Sequence, residues 1–203
     1  MKTTTNFSTY KMVQLALFIA IIVLMDLTKL GYIIKPGFSI TLLVIPVTVG
    51  AIVLGPLQGA VLGAAFGLTS FAQCFGADPL GAALLSYNPV GTFIMTMVPR
   101  ILMGLLTGLI FKALKKIDKT RGISYAVASL AGPALNTILF LTTMILLFYN
   151  TPDIQAVAQQ LGAANPFAFI IAAAGVNALA EIGVCFVVGT ALSKTIDVFA
   201  SRN

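Results

Sequence analysis

One stretch of the chain, Gly91 to Leu114 (GTFIMTMVPRILMGLLTGLIFKAL), constrains the fold more than any other. It is long and apolar enough to cross a bilayer, which takes about 20 such residues in a helix. Arg100 lies well inside this run, directly after Pro99. A charge at that depth costs at least about 2.5–3.5 kcal/mol, so its side chain should face a partner or a polar cavity. We expect Arg100 to line a cavity for a small anionic molecule, to form a structural ion pair, for instance with Glu181, or to do both.

The composition of the whole chain is that of a membrane protein. Of its 203 residues, 59% are hydrophobic and 9% are charged, and the mean hydropathy is +1.02. Soluble domains carry about 25% charged residues, so the polar surface that a water-soluble fold needs is missing. We predict a single integral membrane domain that covers residues 1–203.

Six apolar segments predict an all-α bundle of six transmembrane helices. Their approximate bounds are 11–30, 39–54, 57–73, 91–114, 124–149 and 166–192. Lysine and arginine concentrate on the connections and ends that six crossings place on one side of the membrane. Because an excess of these residues marks the cytoplasmic side, both termini should be cytoplasmic and the loops 31–38, 74–90 and 150–165 external. The net charge of +6 therefore reflects basic residues on the cytoplasmic side of the membrane and does not indicate a nucleic-acid partner.

Glycine spacing indicates where helices pack closely. The third segment has a glycine every four residues, and the fourth repeats the spacing once: Gly55, Gly59, Gly63 and Gly67, then Gly104 and Gly108. Such residues form a ridge without side chains, along which a second helix backbone can approach closely in lipid. This pattern predicts architecture and says little about function.

Several classes of function are excluded by what the chain lacks. It has no histidine, which removes the commonest general base and metal ligand. It also lacks the glycine-rich phosphate loop of ATPases. Its two cysteines, Cys74 and Cys185, lie in or beside different apolar segments and form no metal-type pair. We therefore expect no metal, no cofactor and no catalysis by this chain.

Polar residues in or beside the predicted helices are candidates for binding a substrate. Asn177 and Glu181 are four residues apart and share one helix face. With Arg100 and Asn136 they could line one pocket that opens outward, with Glu181 below its floor. The complete set of candidates is Gln73, Tyr87, Asn88, Arg100, Asn136, Asn177 and Glu181. A structural role stays open for them, because buried asparagines often only link helices and aromatic residues often lie at membrane interfaces.

A pair of alanines early in the first helix, Ala16 and Ala20, belongs to a wider pattern. The phrase AIVLGP at 51–56, the glycine ridge and the phrase VPRILMG at 98–104 complete it. In these features, its length and its topology, the chain resembles the substrate-capture subunits (S components) of energy-coupling factor (ECF) vitamin transporters. The resemblance covers essentially the whole chain and points to the branch that takes up pantothenate, folate, riboflavin and related vitamins.

The resemblance implies a transport role in the cell membrane. Such a subunit binds a vitamin near the external face and docks on a membrane-embedded coupling subunit that carries two cytoplasmic ATPases. In this family the alanine pair lies on the docking surface, so the resemblance implies the same role for Ala16 and Ala20. The external connections, mainly 31–38 and 74–90, would gate the pocket, and ATP hydrolysis would belong to the partners.

The chemistry of the candidate residues favours pantothenate as the vitamin. An arginine can hold a carboxylate through two parallel hydrogen bonds. Pantothenate has one carboxylate, two hydroxyls and an amide, which match Arg100, Asn136 and Asn177. Folate, riboflavin or a pyrimidine- or pyridoxine-type precursor are the alternatives within the family. A structural membrane protein whose polar residues only pack helices is the alternative outside it.

Overall fold

The structure of the chain is a computed structural model. It describes residues 9–29, 32–35, 38–118 and 122–200, and the side chains of residues 9–29, 41–118, 122–175 and 182–196. Within these ranges the chain forms eight helices and two short strands. Their bounds are α1 (Thr9–Leu27), β1 (Tyr32–Lys35), β2 (Phe38–Thr41), α2 (Val44–Leu54), α3 (Pro56–Gln73), α4 (Pro79–Tyr87), α5 (Pro89–Lys115), α6 (Ile123–Phe148), α7 (Pro152–Gln160) and α8 (Pro166–Ala200).

The prediction of a helical membrane protein is confirmed, with one small hairpin added to it. In the described part of the chain, α1, α5 and α6 are each long and apolar enough to cross a bilayer, and α2 and parts of α8 are shorter apolar helices. Helix α2 is the most enclosed, because every residue of it except Ile45 and Val53 is buried. It packs against α1, α3, α5, α6 and α8, and so forms the centre of the bundle.

The predicted loop 31–38 and the predicted helix start at residue 39 are wrong. Strands Tyr32–Lys35 and Phe38–Thr41 pair in an antiparallel hairpin that places Ile33 opposite Ile40, and α2 begins only at Val44. The β-branched residues of this segment favour strands, and the pairing satisfies backbone groups that a loop would leave unpaired.

Two further predicted loops contain short helices. Helix α4 fills most of the predicted loop 74–90, and α7 fills most of 150–165. Each begins with a proline at a first-turn position, where the missing amide costs no hydrogen bond. Each is 9 residues long, which is too short to cross a bilayer, so neither has the long apolar segment that predicts a membrane helix.

The last helix is longer than predicted. It runs to Ala200 instead of ending near residue 192. Residues 193–200 are more polar than the membrane segment, but they include neither proline nor glycine. The increase in polarity after residue 192 therefore marks the end of the apolar segment, but the helix continues because no proline or glycine ends it.

Helices α3 and α5 pack along the predicted glycine ridge at Gly59, Gly63 and Gly67, which confirms this part of it as a packing seam, whereas Gly55 lies in the turn before α3. A methyl group added at Gly59 would collide with the backbone oxygen of Gly104, and one added at Gly63 would collide with that of Arg100. At Gly67 the added atom would lie 3.0 Å from the backbone oxygen of Thr96. The two backbones are therefore in direct contact over about two turns.

We expect Gly63→Ala and Gly104→Ala to lower the thermal stability of the protein purified in detergent. Overpacking costs about 1–3 kcal/mol, and here the obstacle is a helix backbone that cannot change rotamer. Gly175→Ala and Gly183→Ala are the controls, because at these α8 positions no described atom lies within 4 Å of the added methyl. The controls should equal or exceed the native melting temperature, since alanine favours helix over glycine. Equal losses at Gly63 and Gly175 would refute the seam.

Candidate functional site

A cavity of about 330 Å³ lies at the end of the bundle where α3 ends and α5 begins. Small-molecule sites occupy about 300–1,000 Å³, so its size suits a small ligand. Helices α3, α5, α6 and α8 form its walls, and α4 and α7 contribute apolar residues near its edge. Its polar lining residues are Thr41, Ser70, Gln73, Asp78, Thr96 and Arg100.

Arg100 lies on the cavity wall and is only 8% exposed. The centre of its guanidinium is 4.2 Å from the ring centroid of Phe140 and 5.4 Å from that of Phe66. Both distances are within the range of cation–π attraction, which is worth about 2 kcal/mol where water is excluded. Two aromatic rings, one on α6 and one on α3, therefore both contact the charged group.

Pro99 explains a second contact of the same guanidinium. Proline has no amide hydrogen, so inside α5 it cannot bond the backbone carbonyl of Met95, four residues earlier. The Nη1 atom of Arg100 donates to that carbonyl at 3.1 Å. The Pro-Arg pair thus removes one helix hydrogen bond and replaces it with one from the side chain, which orients the guanidinium.

Hydroxyl groups continue the polar wall from Arg100 toward the cavity mouth. Thr96 is one turn away on α5 and donates to the backbone oxygen of Thr92 at 3.0 Å. Its oxygen keeps lone pairs with which it can accept a hydrogen bond from a ligand. On α3, Phe66 and Ser70 are four residues apart, so they share a face with the cavity.

The end of α3 and the residues that follow it lie on the cavity wall. The side-chain amide of Gln73 donates to the carboxylate of Asp26, which ties the end of α3 to the end of α1. Cys74 and Asp78 follow on the cavity wall. Burial, and then the charge of Asp78, raises the pKa of the Cys74 thiol, so the thiol is protonated at neutral pH.

Tyr87 and Asn88 do not line the cavity, although both were candidates. Tyr87 donates a hydrogen bond to Asp153, which raises the pKa of the tyrosine and joins α4 to α7. The side chain of Asn88 caps α5 by accepting from the amide of Gly91 at 2.9 Å. Both residues order the helices around the mouth instead of forming its wall.

The remaining candidates lie deeper in the bundle. Asn136 is on α6, one turn from Phe140, and is 8% exposed but not on the cavity wall. Within the described structure its Oδ1 atom has no hydrogen-bond partner. Asn177 and Glu181 lie on α8 at positions whose side chains are outside the described residues, as is the ion pair predicted between Arg100 and Glu181.

The sequence interpretation missed most of the cavity wall. Thr96 could have been found, because it precedes Arg100 by four residues on the same helix face. Phe66 and Phe140 could not, since aromatic residues in apolar helices are usually core residues. Cys74 and Asp78 lie in the predicted loop 74–90, and nothing in the sequence of this loop indicates which of its residues face the cavity.

Ala16 and Ala20 do not line the cavity; they lie on the exposed face of α1. Both are exposed on α1, as are Val13, Leu17 and Leu24 on the same face. Their spacing of three and four residues makes one continuous strip along the helix. We call residues 13, 16, 17, 20 and 24 the α1 strip.

A family model and two similar proteins point to the same family of transport proteins. A family model described as "ECF transporter, substrate-specific component" matches residues 10–193. The pantothenic acid transporter PanT of Lactococcus lactis subsp. cremoris (strain MG1363) is 36% identical over 149 residues, covering 68% of this chain and 73% of the relative. The pantothenate transporter PanT of Leuconostoc mesenteroides subsp. mesenteroides is 29% identical over 193 residues, covering 88% and 93%. The chain therefore belongs to the substrate-specific components of ECF transporters, which are multi-pass transport proteins of the cell membrane and not enzymes.

Proposed function

We propose that this chain captures pantothenate at the external face of the cell membrane and delivers it to an ECF coupling complex. The observation that carries the proposal is the buried guanidinium of Arg100 on the wall of a ligand-sized cavity. The names of the two relatives support the choice of vitamin, because both are pantothenate transporters.

The chemistry of the cavity wall suits both ends of this vitamin. A carboxylate at Arg100 would gain charge-assisted hydrogen bonds, each worth about 1.5–3 kcal/mol. The carboxylate of Asp78 could accept from the hydroxyls of pantothenate, and Ser70, Gln73 and Thr96 could pair with its amide and remaining polar atoms. The ligand would therefore bind with its negative end deepest.

The other candidates keep supporting roles in this proposal. Asn136 would act from below the floor, where its Oδ1, which has no hydrogen-bond partner among the described residues, could bond a water molecule beneath the ligand. Asn177 and Glu181 stay predicted contacts from α8. Tyr87 and Asn88 would act indirectly, by fixing α4 and the start of α5 around the mouth.

We infer that the bundle crosses the membrane six times with both termini in the cytoplasm. Lys112 and Lys115 lie in the last turn of α5, at the end opposite the cavity. Lys11 near the start of α1 and Lys194 near the end of α8 add to the same side. The positive-inside rule then places the cavity on the external side, where a nutrient would enter.

Delivery would use the α1 strip. Ala16 and Ala20 leave a shallow exposed surface between larger apolar residues, which lets a partner helix approach closely. The partner would be the membrane-embedded coupling subunit of an ECF transporter, and two attached ATPases would supply the energy.

Pantothenate should raise the unfolding temperature of the purified protein more than folate, riboflavin, thiamin or pyridoxine. A ligand at 100 times its Kd stabilises the native state by about 2.7 kcal/mol, which corresponds to a shift of about 5–10 °C for a chain of this size. A larger shift with another vitamin would reassign the substrate. The absence of a shift with every vitamin would favour a purely structural protein.

Bound pantothenate should protect Cys74 from a small methanethiosulfonate reagent. Cys185→Ala leaves Cys74 as the only cysteine, and its thiol lies on the cavity wall. Its labelling rate without ligand should keep rising as the pH is raised above neutral, because only the thiolate reacts and burial, and then the charge of Asp78, raises the pKa of this thiol. Cys74→Ala is the control, since Cys185 lies in the apolar core and its labelling should not respond. Unchanged Cys74 labelling at saturating pantothenate would place the ligand elsewhere.

Ala16→Trp and Ala20→Trp should abolish pantothenate uptake by cells and leave binding by the purified protein within about twofold of native. Each tryptophan would fill the shallow part of the α1 strip and keep the partner helix away. Ala191→Trp is the matched control, because Ala191 is also exposed but lies on α8, outside the strip. Native uptake by both α1 variants would show that docking uses another surface.

A further inference from the structure

A second cavity, of about 310 Å³, lies at the other end of the bundle from the first. It is formed where α2 ends, α3 begins and α5 ends, and we call it the basal cleft. Gly55 makes the turn between α2 and α3 with a φ of 112°, a conformation that side-chain-bearing residues rarely adopt. Gly108 of α5 packs directly against Pro56, so the three helix ends meet with little side chain between them.

One rim of the basal cleft is strongly positive. Lys112 and Lys115 lie in the last turn of α5, Lys116 follows them, and all three are exposed and line the cleft. Among the described residues, the lining contains no carboxylate. The carboxylate that follows in sequence, Asp118, accepts a hydrogen bond of 2.8 Å from the amide of Ser124 at the start of α6. The positive charge comes from these lysines and not from helix dipoles, because α3 begins at the cleft whereas α2 and α5 end there.

The floor of the basal cleft is apolar. Ile52, Leu54 and Phe111 line it and are each no more than 6% exposed. The ammonium of Lys115 lies 5.2 Å from the ring of Phe111, so its stem follows this apolar surface while its charge stays at the rim. Cations beside an apolar floor match an amphipathic anion better than a soluble one, which would leave the floor uncovered.

We propose that the basal cleft binds an anionic phospholipid. The phosphate would lie between Lys112 and Lys116, and the first part of an acyl chain would cover Ile52 and Phe111. Basic pockets between membrane helices on the cytoplasmic side are suited to such headgroups. The cleft is separate from the vitamin cavity, so this proposal does not depend on the identity of the vitamin.

Lipid binding to the delipidated full-length protein in neutral detergent tests the proposal. Phosphatidylglycerol should bind and raise the unfolding temperature, whereas phosphatidylcholine and inorganic phosphate at equal concentration should not. The Lys112→Gln/Lys116→Gln variant should bind phosphatidylglycerol about 30-fold more weakly, since each basic residue near an anionic lipid surface contributes about fivefold. Lys115 is kept in this variant because it packs on Phe111 and Tyr125.

A variant with the same loss of charge separates a specific site from a general attraction. Lys11→Gln/Lys194→Gln removes two exposed lysines at the same end of the bundle but outside the cleft. It should bind phosphatidylglycerol within twofold of native, and both variants should melt at the native temperature without lipid. Equal weakening by the two variants would overturn the site, as would equal binding of phosphatidylglycerol and phosphatidylcholine. Competition by inorganic phosphate at equal concentration would assign the lysines to a soluble anion instead.

Discussion

The contact between α3 and α5 is the interaction on which the site depends. Gly63 lies against the backbone of Arg100, and Gly67 against that of Thr96, so the helix that carries the arginine is held directly on α3. Phe66 lies between these two glycines and reaches the guanidinium that the contact brings close. Phe140 on α6 completes the pair of rings at 4.2 Å.

Two cation–π contacts and a charged hydrogen bond to Met95 together supply a few kcal/mol, which is comparable to the cost of about 2.5–3.5 kcal/mol for an arginine at mid-membrane. These contacts therefore offset the cost of burying the charge and hold the guanidinium in one orientation on the cavity wall.

Most of the architecture could be predicted, because the bilayer imposes long apolar segments and the glycine spacing shows which helices touch. The corrections fall where neither signal operates. Residues 32–41 contain β-branched residues that favour strands, but so short an apolar run does not by itself distinguish a strand from the start of a helix, and the pairing of the two strands decides it. Helix α4 is too short to be detected as a span, and its buried residues Gly81 and Leu84 face a cavity that exists only in the folded bundle.

A site residue could be predicted from the sequence only where a polar or charged side chain interrupts an apolar segment. Arg100 stands out because charge is rare in an apolar run, and the structure places it on the cavity wall. Asn136 stands out in the same way but lies one turn away from the wall, since polarity reports depth and not the direction in which a side chain points. Phe140 and Phe66 resemble ordinary core residues in sequence, and their role follows only from the packing of α6 and α3 on α5, which brings both rings to one guanidinium.

The most direct measurement is a thermodynamic cycle between Arg100 and the carboxylate of the ligand. Dissociation constants would be determined for the native protein and Arg100→Gln, each with pantothenate and with its alcohol analogue, in which CH₂OH replaces the carboxylate. The native protein should prefer pantothenate by at least about tenfold, the value of one charged hydrogen bond, and Arg100→Gln should lose most of that preference while still binding the alcohol. An equal preference for pantothenate in both proteins would contradict the account, because the carboxylate would then bind away from Arg100.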